Sequence, residues 1–151
     1  MHSFVVSVLL LLQILTGHSE RGIIIPIGPE RIHFAGLYAT IQMIRGEFKC
    51  NYPIEVWSYP DEILRMPNST LKAFESMTKM NVFLRHLPIA TDVHAGTAPR
   101  PEWDSAGDWT RDYIRFSSMP LALIHTKFDE VLAMDADCVL FVSPENIFNT
   151  R

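Results

Sequence analysis

Residues 22–27, GIIIPI, form a continuous β-branched run closed by Gly28-Pro29. A strand with one wet face alternates apolar and polar residues; this one does not, so both its faces must be covered, as inside a parallel sheet. A parallel neighbour requires a long crossover, which is usually a helix. The next stretch supplies one: over residues 33–46, Phe34, Leu37, Ile41 and Ile44 recur at three- and four-residue spacing, with Gly46 near the predicted C-terminus. Pro53 then opens a second apolar run, IEVWSY, at residues 54–59. Strand, helix and strand make a βαβ unit, so the expected fold class is α/β with a mostly parallel sheet of about four strands and flanking helices.

The remaining chain extends the same pattern. Pro60, Asp61 and Glu62 read as a turn, followed by a helix over residues 69–79 with Leu71, Phe74 and Met77 inward. Residues 82–84, continuing toward Leu87, read as a third strand. Residues 91–110 are rich in Gly, Pro and polar side chains and read as a long loop carrying His94, Trp103 and Trp109. Tryptophans in such a loop can line a sugar site, but the expectation here is that they fold back onto the core. A helix over residues 112–127, broken or kinked before Pro120 and with Leu121, Ile124 and Phe128 inward, leads into a short apolar strand at residues 130–134. Ser143-Pro144 reads as an N-cap and first helical position. Asn68-Ser69-Thr70 is a glycosylation sequon, relevant only in a secretory chain.

A chain of 151 residues is one domain at most, and 20% charged residues against 48% hydrophobic ones is the balance of a globular core, not of a disordered segment. The net charge of -4 and the lack of any Lys/Arg cluster argue against nucleic acid as a partner. Cys50 and Cys138 are too few and too far apart for a disulfide framework or a zinc site, and both are expected to be free, buried thiols. The apolar run at residues 4–15 is shorter than the ~20 residues needed to span a bilayer. It reads as a signal-like segment within residues 1–20, although no Lys or Arg precedes it; the competing reading is a helix at the domain edge. Secretory-pathway localisation and any membrane association rest on this segment, and without it the chain is cytoplasmic.

Chemistry concentrates where the last apolar strand ends in Asp135-Ala136-Asp137. In extended backbone, positions i and i+2 face one side, so both carboxylates can address one cation. Two carboxylates at the end of a buried strand are costly without a compensating partner. Three readings compete. In the first, the pair holds Mn²⁺ or Mg²⁺ together with a diphosphate, and the metal assists departure of a nucleotide diphosphate from a sugar. In the second, Asp135, Asp137, Val139 and Leu140 meet the signature of a haloacid-dehalogenase-type phosphotransferase, with Asp135 as nucleophile. That motif normally lies on the first strand of its domain, whereas here it comes late. In the third, the aspartates merely cap a turn.

In its surroundings the motif resembles that of the nucleotide-diphospho-sugar transferases, and the chain is similar to the fungal α-1,3-mannosyltransferase family. Three segments carry the resemblance: RGIIIPIG at residues 21–28; residues 37–62, with YATIQMIRGEFKCNYPIEVWSYPDE after Leu37; and PLALIHTKFDEVLAMDADCVLFVSPENIF at residues 120–148. The resemblance implies a Rossmann-like, GT-A-type donor-binding half over residues 21–151, with Asp135 and Asp137 as metal ligands. It implies that Ile25, Pro26, Gly28, Arg115, Asp135, Ala136 and Asp137 meet the donor, that the cofactor is Mn²⁺ or Mg²⁺, and that the donor is GDP-mannose rather than a UDP-sugar. The acceptor would be a glycan in the Golgi.

The chain departs from the family pattern at three points. Met119 stands where a Lys is common, leaving Arg115 as its substitute, and Cys138 stands where a polar residue is usual. Family members also continue well past the Asn-Ile-Phe segment, so the donor half is expected to be incomplete at its C-terminus and to lack turnover on its own. The alternative to an enzyme is therefore a non-catalytic, truncated relative that at most binds a nucleotide sugar.

Overall fold

The computed structural model describes residues 20–88 and 118–150. The N-terminal apolar run, the loop with His94, Trp103 and Trp109, and Arg115 lie outside these described residues. Four strands, β1 (Arg21–Pro26), β2 (Ile54–Ser58), β3 (Val82–His86) and β4 (Glu130–Ala133), make one sheet in the order β3-β2-β1-β4. Every pairing is parallel. This is the α/β, Rossmann-like arrangement that the apolar run at β1 predicts, with β1 in the interior and Ile23, Ile24 and Ile25 all 0% exposed. The described helices are α1 (Arg31–Gln42), α2 (Pro60–Arg65), α3 (Asn68–Met77), α4 (Ser118–His125) and α5 (Pro144–Asn149).

Alternation along β1 sorts its isoleucines onto two faces. Ile23 and Ile25 join Ile54, Val56 and Val82 beneath Leu37 and Ile41 of α1 and Phe74 and Met77 of α3. Ile24 faces the other way, with Trp57 and Tyr59, against Ala122 of α4 and Phe128. Each fully buried aliphatic side chain is worth about 1.5–3 kcal/mol, which makes the β1–β2 pair the thermodynamic centre of the sheet. Glu55, a carboxylate on the second face, is 2% exposed. Arg85 Nε and Thr126 Oγ1 donate to it at 3.0 and 2.8 Å, so the buried charge is fully partnered.

Several local expectations are corrected. Pro60, Asp61 and Glu62 open α2 instead of forming a turn. Pro at the first position and acids in the first turn are helix-start signals as much as turn signals, and Glu62 Oε2 accepts from Ser58 Oγ at 3.1 Å and Tyr59 N–H at 3.4 Å. The helix expected to reach Gly46 ends as α-helix at Gln42 and continues as a π-turn, Met43–Glu47. Within it the Arg45 guanidinium donates to the carbonyls of Met80, Cys50 and Tyr52 and ties three segments together. Ile124, expected inward, is 73% exposed; Ala122 makes the close contact of α4 with the sheet. Ser118 and Met119, directly before Pro120, are helical, so Pro120 lies in the first turn of α4 without a break there; the earlier part of the expected helix, residues 112–117, lies outside the described residues. Cys50 is free and buried as expected, but Cys138 is only half-buried.

Candidate functional site

The strand order puts a topological switch at β1: the chain steps outward through β2 and β3 on one side, then returns to lay β4 on the other. Parallel α/β sheets bind ligands beyond the carboxyl ends of the two strands that flank such a switch. The residues following β1 and β4 therefore border the expected site.

After β1, the Ile27 N–H donates to the Trp57 carbonyl at 2.9 Å, and the chain then passes Gly28 to enter α1. A β-carbon on Gly28 would lie 2.6 Å from Glu30 Oε2 and 2.9 Å from His33 Nδ1, so the bare glycine leaves room for this exposed side-chain pair against the backbone. His33 Nδ1 is 3.0 Å from Glu30 Oε2, an ion-pair separation without hydrogen-bond alignment.

After β4, the Met134 N–H makes a last rung to the Ile24 carbonyl at 3.1 Å. The chain then turns, with the Cys138 N–H donating to the Asp135 carbonyl at 3.1 Å. The two aspartates thus converge through a turn, not through the extended alternation expected of them. One oxygen of Asp135, one of Asp137 and the sulfur of Cys138 all lie within 4.8 Å of one another. Both carboxylates are exposed, so the desolvation cost expected at a buried strand end does not arise. Neither has a hydrogen-bond or ion-pair partner among the described residues. The pair therefore does not cap the turn with its side chains.

The two segments face each other across a cleft of about 540 Å³, inside the ~300–1,000 Å³ range of small-ligand sites. Pro26, Gly28, Asp135, Ala136 and Asp137 of the predicted set line it. Ile25 does not: its side chain is buried in the core beneath α1, 0% exposed. Arg115 lies outside the described residues. The cleft adds Ile32 and His33 from α1, Tyr59 and Glu62 after β2, and Ser118 from α4, which reading the motif alone misses. The strand-end rule could have found Tyr59 and Glu62, since Tyr59 ends the predicted second strand and Glu62 lies three residues beyond it. Met119, at the position of the usual Lys, packs against the apolar cluster around Ile24 and Trp57. Away from the cleft, burial pushes the Cys50 thiol up and the Arg45 guanidinium down from their ordinary pKa values.

Residues 20–151 match the model of the family described as "Mannosyltransferase putative". No curated protein matches the chain. Among the described residues, no helix is long and apolar enough to cross a membrane.

Proposed function

The chain belongs to this mannosyltransferase family, and we propose that it uses the cleft between β1 and β4 to bind a nucleotide-diphospho-sugar donor, GDP-mannose, for transfer of mannose to a glycan acceptor. The observation that carries this reading is the convergence, on a cleft at the sheet's switch point, of two carboxylates without a partner among the described residues. Acids held together without a cationic partner repel one another, and a divalent ion relieves that repulsion.

The donor chemistry fits a hard cation. Carboxylate oxygens suit Mn²⁺ and Mg²⁺, which complete their coordination with water and phosphate oxygens. Asp135 and Asp137 would hold the ion, with the softer Cys138 thiol at its edge. When bound, the ion supplies charge neutralisation for the departing nucleotide diphosphate. The remaining roles fall to this chain's own residues. Gly28, Ile32 and His33 place the N-terminal end of α1 in the cleft lining, where the positive end of its dipole favours a diphosphate. Tyr59, buried in the apolar cluster with Ile24 and Trp57, forms part of the same lining. The fold reading that goes with this is the donor half of a GT-A transferase.

Titration calorimetry with GDP-mannose, GDP and UDP, each with and without Mn²⁺, tests the proposal. Binding of the guanine compounds that requires metal is the expected result. A folded sample that binds no nucleotide in the presence of Mn²⁺ sinks it. A Golgi setting is part of the same reading, and a reporter fused to residues 1–25 that stays cytosolic would remove that part alone.

A further inference from the structure

Gly36 and Thr40 are one helical turn apart on α1 and so share a face. Both residue types are poor choices for a helix interior. That face is covered by the aspartate turn. Thr40 is 4% exposed, and its hydroxyl lies 3.1 Å from the Cys138 carbonyl and 3.4 Å from the Ala136 carbonyl, so its proton is shared between them. A threonine inside a helix usually returns its hydroxyl to the carbonyl one turn earlier. Here the hydroxyl instead satisfies carbonyls on either side of Asp137. At Gly36, a β-carbon would stand 2.9 Å from the Ala136 carbonyl oxygen and 3.6 Å from the Asp137 Cα, closer to the first than side chains tolerate. The missing side chain is what admits the turn.

We infer that Gly36 and Thr40 are positioning residues that seat the turn against α1 and so fix Asp135 and Asp137 relative to the Gly28–His33 side of the cleft. The inference rests on the metal-clamp reading of the aspartates. Neither residue touches a ligand; each acts through the backbone between the two acids. Because α1 carries both this seat and the His33 rim, one helix sets the separation between the two halves of the site.

The test is Mn²⁺ uptake by the full chain in the presence of GDP, followed by loss of the free-ion electron paramagnetic resonance signal, with a thermal melt of each variant. Thr40→Val keeps the shape and removes the hydroxyl; Gly36→Ala pushes on the Ala136 carbonyl; Thr40→Ser keeps the hydroxyl. Thr40→Val and Gly36→Ala are expected to weaken Mn²⁺ binding by roughly 10-fold, the usual scale for groups that orient metal ligands, while Thr40→Ser stays within about 2-fold of wild type. Faster amide exchange at Cys138 in Thr40→Val is the accompanying signature of a loosened turn. If Thr40→Val does not fold, Gly36→Ala beside a normal Thr40→Ser decides: weakened binding supports the seat and unchanged binding overturns it. Wild-type affinity in folded Thr40→Val, with uptake abolished in Asp135→Ala, overturns the seat and leaves the clamp standing. No Mn²⁺ uptake by the wild type overturns both.

Discussion

β1 and β4 are hydrogen-bonded neighbours that deliver their ends to the same cleft, yet they are built on opposite terms. β1 has isoleucines at its centre and is covered on both faces. β4 is an edge strand of the described sheet, no residue of it is fully buried, and the chain beyond it exposes Val139 at 64% and Phe141 at 92%. The difference teaches a division of labour. Burial on both faces makes β1 a rigid wall but leaves no room for a charged group. Exposure lets β4 end in two carboxylates that stay hydrated without a ligand and can be claimed by one.

This contrast can be broken by mutation, starting where the effect is largest. Ile24→Ala should lose about 3–4 kcal/mol in urea unfolding, since it removes a fully buried side chain from a packed core. On β4, Val131→Ala should lose about 1 kcal/mol, because Val131 packs against the same cluster as Ile24 but is only partly buried. Equal losses would erase the distinction between wall and rim. Gly22→Ala comes next: its β-carbon would collide with the buried Phe128 ring, and a loss of about 1–3 kcal/mol is expected from overpacking. Asp135→Asn and Asp137→Asn should leave stability within about 0.5 kcal/mol of wild type, as exposed substitutions do, while abolishing metal-dependent nucleotide binding. A large drop in melting temperature would instead make the acids structural. The smallest effect is chemical. Buried Cys50, its thiol pushed up by desolvation, should react with maleimide more slowly than half-buried Cys138 in the folded chain, and denaturant should equalise them.

Much of this was legible in the residues because it depends on local pattern. An unbroken β-branched run demands a covered strand, helical periodicity demands a crossover, and both hold at β1, α1 and β2 whatever surrounds them. The start of α2 was misread because Pro-Asp-Glu signals a turn and a helix start equally; the decision lay with Ser58 and Tyr59, whose donors hold Glu62 in place. Ile124 was misassigned because a short apolar helix has no unique inner face until it docks.

For the site, the sequence by itself determined which groups carry charge and that they follow an apolar strand. It also contained the Gly36 and Thr40 pair, though only as two indifferent helix positions. Tertiary structure alone decided that β4 lies beside β1, that the aspartates converge through a turn, and that Ile32, His33, Tyr59, Glu62 and Ser118 join them around one cleft. The physical reason is range. Propensity and periodicity act over a few residues, whereas the contact between Thr40 and the Cys138 carbonyl spans 98 positions and exists only once packing brings a buried hydroxyl against the turn's carbonyls.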